Sequence, residues 1–269
     1  MEEAIGTGQP VWWTMERGAS PVVGTAIHAG HTLPPGFETA MAITDEARLR
    51  EEDPYTEVFI RDLPNRIVVH HSRFAVDLNR GRDVAIYLKP EQSWSVQVFS
   101  RPPPADLVRQ ALLMHDRYYD DLRTFLRQLE QRFGRFVVLD VHSYNHRREG
   151  PDAPPASADL MPQVNIGTFS MDRQRWAHVV DPFIEHLRAF EFRGQRLDVR
   201  ENVAFQGRGE QTRFIRHAFP ATGCAIAIEF KKVFMDEWTG VADPQALDAL
   251  RAMVRSTLPL LEDILESSG

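Results

Sequence analysis

Three residues that can bind metals or transfer protons each follow an apolar run in this sequence. The runs are of strand type, and they end in His28, His142 and Glu229. Imidazole and carboxylate groups serve as zinc ligands and as general bases. If the runs form parallel strands, their carboxyl ends share one edge of a sheet, where open α/β folds bind ligands. One such residue alone is most often hydrogen-bonded to nearby backbone, but three together favour a shared site.

A metal at this edge would need a third protein ligand besides the two histidines, because catalytic zinc sites usually have three and an open position. The sequence contains one cysteine, Cys224, which excludes a thiolate cluster and an internal disulfide. The acidic run of residues 51–57 follows His28 and offers several carboxylates. Such a run is usually a solvated helix start, but its position between two strands of the sheet favours it as the source of the third ligand.

Two groups of arginines predict a site for an anion. Arg73 and Arg80 lie in a polar segment beside an apolar strand, and a guanidinium can bind a carboxylate through two parallel hydrogen bonds. The alternative is an internal ion pair with Asp77. A second group, around Arg216, follows the glycine-rich residues 206–209. No Gly-Lys-Ser/Thr follows those glycines, which excludes a nucleotide P-loop.

The elements that must position these residues alternate between strands and helices. Apolar runs rich in Val, Ile and Phe lack the polar alternation of a half-exposed strand, which favours a sheet covered on both faces. These runs are residues 22–27, 67–69, 136–141 and 224–230. Strands alternating with helices predict an α/β fold: a mostly parallel mixed sheet with helices on both faces, in a single domain over residues 1–269.

Three helices and one long loop are predicted around these strands. Apolar residues step by three or four from Ala105 to Phe133, and Gly134 supplies a C-terminal stop. A second helix is predicted from about Pro182 to Phe190, and a third from Pro244 to about Leu265. The stretch from Ser143 to Thr168 has little periodicity and predicts a surface loop, which at this length is usually functional or mobile.

Composition indicates an ordinary soluble protein without a nucleic-acid partner. The 269 residues include 31 Lys and Arg against 38 Asp and Glu, a net charge of −7, whereas nucleic-acid binding needs a concentrated positive excess. The amino-terminal residues lack the basic and apolar regions of a signal peptide, and no run reaches the roughly 20 apolar residues of a membrane helix. We therefore expect a cytoplasmic protein with no membrane partner.

The most specific motif is a string of nine residues, Ser72-Arg73-Phe74-Ala75-Val76-Asp77-Leu78-Asn79-Arg80. Together with His28-Ala29-Gly30, Asp140-Val141-His142-Ser143, Asn165-Ile166-Gly167-Thr168 and Ile228-Glu229, it resembles the N-formylglutamate amidohydrolase family. The similarity runs from about Ile27 to Glu237 in motif order. It implies a zinc-dependent deformylase with a phosphorylase/hydrolase-like α/β fold related to the metallocarboxypeptidases, acting on a small anionic substrate.

The resemblance also implies roles for individual residues. His28 and His142 would bind one zinc ion, with either Asp53 or Glu57 completing the ligand set. Glu229 would be the general base, and Arg80 is the other catalytic candidate. The residues implied to bind the substrate carboxylate and shape the site are Arg73, Asn79 and Arg216.

Two alternatives to an N-formyl amino acid deformylase remain open at this point. One is a zinc peptidase or a peptidoglycan-type amidase, which the absence of a recognisable signal peptide disfavours. The other is a catalytically degenerate binder of acidic metabolites, which the intact set of His28, His142 and Glu229 disfavours. Metal content and a panel of formyl, acetyl and peptidyl amides separate these three possibilities.

Overall fold

A seven-stranded mixed sheet forms the centre of the fold, and it confirms the predicted α/β class. The structure, a computed structural model, describes residues 11–267. The strands are β1 (Trp13–Glu16), β2 (Val22–Ala26), β3 (Asn65–Val69), β4 (Phe136–Tyr144), β5 (Val164–Gly167), β6 (Glu191–Phe192), β7 (Gln195–Arg196), β8 (Val199–Glu201) and β9 (Gly223–Lys231). The order across the large sheet is β1-β3-β2-β4-β9-β5-β8, and β6 and β7 form a separate hairpin. Strands β3, β2, β4 and β9 run parallel, whereas β1 and β5 pair antiparallel with β3 and β9.

Helices cover both faces of this sheet. They are α1 (Asp45–Glu51), α2 (Thr56–Phe59), α3 (Ala105–Phe133), α4 (Ala177–Ala189), α5 (Glu210–Ala218) and α6 (Pro244–Ser267). Apolar side chains of α2, α4 and α6 share one core cluster with the sheet, and those of α3 and α5 share the other. Of the helices in residues 11–267, none is long and apolar enough to span a membrane.

The two faces of strand β4 differ in polarity at its carboxyl end. Its odd residues, Val137, Leu139 and Val141, pack into the core beside α4 and α6, and its even residues face α3 and α5. Because side chains alternate along a strand, the even series passes from apolar residues to Asp140 and His142 on the same face. The carboxyl end of β4 therefore turns polar on the α3 and α5 side, while its other face stays in the core.

The helix predictions are confirmed in two cases and shifted in the third. Helix α3 has the predicted bounds, and Gly134 follows it with a φ of 77° and donates its N–H to the Glu130 carbonyl at 2.8 Å. Helix α6 begins at Pro244 as predicted. Helix α4 begins at Ala177 instead of Pro182 and contains this proline. Burial of its apolar face outweighs the hydrogen bond that the proline cannot make.

The predicted loop from Ser143 to Thr168 is wrong at both ends. Strand β4 continues to Tyr144, and β5 occupies Val164–Gly167. The sequence of β5 is too short to form an apolar run, and Asn165 interrupts it. Pairing with β9 on one side and β8 on the other defines this strand, so the evidence for it lies in tertiary structure.

Candidate active site

A cavity of about 390 Å³ lies at the carboxyl ends of β2, β4 and β9. Its lining includes His28, Asp53, His142 and Glu229. The parallel register brings these residues together, since His142 on β4 pairs directly with Glu229 on β9. The convergence predicted from three separate apolar runs is therefore present in the fold.

The centre of this cavity is a group of three buried side chains, His28, Asp53 and His142, called the metal cluster below. The Nδ1 atoms of His28 and His142 lie 3.4 and 3.0 Å from Asp53 Oδ2. One ligand atom from each residue lies within 4.8 Å of the other two. Among the described residues, His28 Nδ1 has no hydrogen-bond partner. Two imidazole nitrogens and one carboxylate oxygen facing a common point fit the donor set of a catalytic zinc ion.

The outer nitrogens of both histidines are held by carboxylates. His28 Nε2 lies 2.7 Å from Asp77 Oδ1, and His142 Nε2 lies 3.2 Å from Asp140 Oδ1. Histidines that bind metals commonly donate their second N–H to a carboxylate, which fixes the tautomer and the ring orientation. In this arrangement the Nδ1 lone pairs of His28 and His142 point inwards, towards Asp53.

Asp140 is fixed in turn by a buried hydrogen-bond network. Its Oδ1 accepts from Thr25 Oγ1 at 2.9 Å and from Gln211 Nε2 at 2.6 Å. Tyr118 on α3 donates its hydroxyl to the Gln211 side-chain oxygen. The network thus ties His142 to β2, α3 and α5, and movement of the ring would break several buried hydrogen bonds.

Backbone contacts position Asp53 between α1 and α2. Its N–H donates to the His28 carbonyl at 3.0 Å, and Thr56 Oγ1 donates to its carbonyl at 2.7 Å. Tyr55 adopts a left-handed conformation with a φ of 70°, which breaks the chain direction between the two helices. Buried Lys232 donates to the carbonyls of Arg50 and Glu52 at 2.6 and 2.8 Å. Burial lowers the pKa of Lys232 to about 8.

Asp53 and Glu57, the two candidate carboxylate ligands from the sequence, lie in different places in the structure. Asp53 belongs to the metal cluster, whereas Glu57, among the described residues, lies outside it. Glu57 sits on α2, where its Oε2 is buried without a described hydrogen-bond partner and burial raises its pKa. Of these two carboxylates, Asp53 therefore lies beside the two histidines.

Charges around the metal cluster favour a cation at its centre. Although burial disfavours a charged imidazole, Asp140 and then Asp53 raise the pKa of His142 well above its usual value. Burial also raises the pKa of Glu229 to about 7, and the nearby His142 opposes this rise. A carboxyl group with a pKa near neutrality can accept and release a proton, which suits a general base.

The arginines of the nine-residue string both line the cavity and pair with Asp77. Arg73 Nη2 and Arg80 Nε lie 2.8 and 3.5 Å from Asp77 Oδ2, so the internal ion pair considered above is present. Asn79 Nδ2 lies 3.4 Å from His142 Nε2. Asp77 therefore connects the arginines to His28, and the string supports the metal cluster as well as lining the cavity.

Arg216 does not reach this cavity, contrary to the expectation from sequence. It is exposed on α5 and lines a separate cavity of about 120 Å³ that includes Trp176. The cavity residues that the sequence did not predict include Trp94, Arg148 and Arg208. They lie outside regular strands and helices, where no periodicity marks them. Glycines flank Arg208 on both sides, and this pattern could have marked a loop that approaches a ligand closely.

Most of the chain matches a known protein family. The family model described as N-formylglutamate amidohydrolase matches residues 20–235. The chain belongs to the N-formylglutamate amidohydrolase family. The resemblance drawn from the nine-residue string is thereby confirmed, and membership of this family supports a hydrolase acting on amide bonds.

Two solved structures share the fold of this chain. The crystal structure of N-formylglutamate amidohydrolase from Ralstonia eutropha JMP134 matches with a TM-score of 0.74 and 17% identity, over 95% of this chain and 99% of that one. The structure of gene product Atu2144 from Agrobacterium tumefaciens matches with a TM-score of 0.66 and 18% identity, over 97% and 96% of the two chains. Among curated proteins, no significant match was found. At these identities the two structures show a common fold.

Proposed function

We propose that this protein is a zinc-dependent amidohydrolase that releases formate from a small, carboxylate-bearing N-formyl amino acid similar to N-formylglutamate. The observation that carries the proposal is the convergence of His28 Nδ1, His142 Nδ1 and Asp53 Oδ2 beside Glu229. Membership of the N-formylglutamate amidohydrolase family supports the same reaction class. Fold alone does not fix a substrate, so the residues of the site carry the proposal.

The residues of the metal cluster fit zinc better than a harder cation. Zinc accepts imidazole nitrogen with carboxylate oxygen, whereas magnesium and calcium prefer oxygen ligands alone. When bound, zinc would supply a Lewis acid that polarises the amide carbonyl and acidifies water. The chain contributes the buried, oriented ligand set that holds such an ion, with Asp77 and Asp140 fixing the two imidazoles.

Glu229 has the position and the acidity for the proton transfers of amide hydrolysis. In the proposed reaction a water oxygen attacks the formyl carbon while Glu229 takes a proton from that water. The carbon–nitrogen bond then breaks, and Glu229 delivers the proton to the departing nitrogen, giving formate and the free amino acid. A pKa raised to about 7 by burial allows one carboxyl group to perform both transfers near neutral pH.

The charges that line the cavity favour an anionic substrate. Five carboxylates are balanced by five basic side chains, which are Arg73, Arg80, Arg148, Arg208 and Lys232. A divalent cation in the metal cluster would add two positive charges to this neutral lining. An amino acid with two free carboxylates would compensate them, as N-formylglutamate does.

Zinc analysis combined with a substrate panel tests the proposal. The purified protein should contain about one zinc per chain. It should release formate from N-formylglutamate faster than it hydrolyses acetyl or peptidyl amides. Preferred cleavage of a peptidyl amide would indicate a peptidase or a peptidoglycan-type amidase instead. Absence of zinc together with absence of turnover would indicate a degenerate binder of acidic metabolites.

A further inference from the structure

The basic side chains of the cavity differ in what they already bind. Arg73 and Arg80 both pair with Asp77, and Arg148 Nη1 lies 3.1 Å from Glu51 Oε2. Lys232 is engaged by backbone carbonyls. Arg208 is different: it lines the cavity and its guanidinium lies over the Phe169 ring, and within residues 11–267 no ion pair to a carboxylate is found for it. The Arg208 side chain is exposed to solvent at the edge of the cavity that it lines.

The Arg208 guanidinium lies over an aromatic ring, that of the exposed Phe169. The guanidinium carbon lies 3.8 Å from the centroid of the Phe169 ring. Stacking on an aromatic face engages the plane of a guanidinium and leaves its in-plane N–H groups free to donate. Those donors form the fork that matches the two oxygens of a carboxylate.

The backbone that carries Arg208 is packed against the end of β5. Gly207 has a φ of 71°, and a Cβ built there would lie 2.6 Å from the Gly167 carbonyl carbon, so a side chain does not fit. The Phe169 N–H donates to the Gln206 carbonyl at 2.8 Å, which joins the two segments on either side of the stacked pair. Arg208 is therefore presented from a fixed backbone rather than from a free chain.

We propose that Arg208, stacked on Phe169 at the cavity wall, binds a free carboxylate of the substrate and thereby sets the specificity of the enzyme for acidic N-acyl amino acids. This inference rests on the proposed function. It replaces Arg216, which lines a different cavity, as the arginine from this part of the chain that recognises the anion. Arg73 and Arg80 keep Asp77 and His28 in position, and Arg208 supplies the uncommitted guanidinium.

The test compares Arg208→Ala and Arg208→Lys with Arg213→Ala as a matched loss of one surface arginine. Arg213 pairs with Glu210 at 2.9 Å and does not line the cavity. We expect Arg208→Ala to raise KM for N-formylglutamate by about 10- to 100-fold with a smaller change in kcat, because it removes a charge-assisted pair of hydrogen bonds. Arg208→Lys should restore part of the loss, and Arg213→Ala should leave both constants unchanged.

Substrate analogues show which carboxylate Arg208 contacts. N-formylglutamine lacks the side-chain carboxylate, and the α-amide of N-formylglutamate lacks the other. With the analogue that lacks the contacted group, wild type and Arg208→Ala should have nearly equal KM values. An equal penalty with all three substrates would show a structural effect of the substitution and would overturn the inference.

Calorimetric binding of L-glutamate, the expected product, separates failure of this inference from failure of the proposed function. If wild type binds glutamate more tightly than Arg208→Ala but hydrolyses no formyl amide, the proposed function is wrong and the assignment of Arg208 stands. If Arg208→Ala keeps the wild-type KM and glutamate affinity, or if Arg216→Ala shows the loss instead, the inference is overturned and the hydrolysis stands. A wild-type protein that neither hydrolyses N-formylglutamate nor binds glutamate overturns both.

Discussion

Two parts of the cavity are built in different ways. The metal cluster and Glu229 lie at the ends of buried strands or, for Asp53, on a turn bonded to the His28 carbonyl. The residues at the cavity mouth, Trp94, Arg148 and Arg208, lie in connecting segments outside strands and helices and are called the rim below. Strand register therefore fixes the positions of His142 and Glu229, whereas connecting segments present the rim side chains to the cavity. A rigid scaffold with variable loops allows one chemistry to serve several substrates.

Backbone strain occurs in the rim segment at Trp94, as it does at Tyr55 beside Asp53. Trp94 has a φ of 53° and Ser95 has a φ of 67°, conformations that are uncommon for residues other than glycine. Trp94 is held by the guanidinium of Arg73, whose carbon lies 4.8 Å from an indole ring centroid, and Arg148 lies 5.8 Å away. Such strain persists where surrounding contacts fix it, often beside ligands. The indole therefore contributes to the wall of the cavity.

The largest effect is expected for Asp53→Asn, which removes the charged ligand from the metal cluster. The variant should lose bound zinc and with it at least about 1,000-fold in kcat/KM, since a metal-dependent hydrolase loses both water activation and carbonyl polarisation. Zinc analysis and formate release check this result. Retention of about one zinc per chain would show that Asp53 is not a ligand.

Glu57→Gln is the matched control for this substitution, because Glu57 is the other carboxylate that the sequence offered. It should keep zinc and activity. Burial raises the pKa of Glu57, so the charged form destabilises the folded state above the usual pKa of a glutamate, and the penalty disappears below it. Glu57→Gln should therefore unfold at a slightly higher temperature than wild type at pH 7 and at the same temperature near pH 4. Loss of zinc in this variant would reverse the assignment of the two carboxylates.

The next largest effect is expected for Glu229→Gln, which keeps the shape of the side chain and removes the base. We expect kcat to fall by about 100- to 10,000-fold while zinc content stays at the wild-type value. His142→Ala, by contrast, should lose both zinc and turnover. Full activity in purified Glu229→Gln would exclude the proposed role of this residue.

An intermediate effect is expected for Asp140→Asn, because Asp140 orients a ligand without touching the metal. Loss of such an outer partner typically weakens metal binding by about 10- to 100-fold. Competition with a chelator measures this shift, and added zinc should restore part of the activity. If zinc affinity is unchanged, the hydrogen bond between Asp140 and His142 has no influence on the metal.

The smallest effect is expected at the rim, for Trp94→Ala. Zinc content and the response to a chelator should match wild type. KM for N-formylglutamate should rise by a few-fold, and the order of preference among N-formyl amino acids should change, because a rim side chain contributes to substrate binding rather than to the chemical step. Steady-state kinetics on the substrate panel check this. Loss of zinc in Trp94→Ala would show that the rim contributes to metal binding and would contradict the separate roles given to the strand ends and the rim.

The strand ends could be predicted from the sequence because each depends on a local pattern and one topological rule. His28, His142 and Glu229 follow apolar runs, and parallel strands carry such residues to one edge. The choice between Asp53 and Glu57 could not be made, since it depends on the left-handed Tyr55 and on a hydrogen bond to His28.

The rim and the antiparallel strand β5 could not be predicted for a related reason. Strand β5 is defined by its neighbours, and Arg208 is placed by contacts of Gly207 and Phe169 with the chain around β5. The family resemblance implied a substrate role for Arg216, but this residue is exposed on α5 and lines a different cavity. Long-range packing determined each of these outcomes, and a single sequence carries little sign of it.

The most direct test of the central claim is anomalous diffraction at the zinc absorption edge from crystals of the purified protein. The account predicts one strong peak per chain at about 2.0–2.2 Å from His28 Nδ1, His142 Nδ1 and an oxygen of Asp53. A zinc ion bound by Glu57 or by other residues would contradict this prediction. So would the absence of any anomalous peak beside His28, Asp53 and His142 in zinc-supplemented crystals.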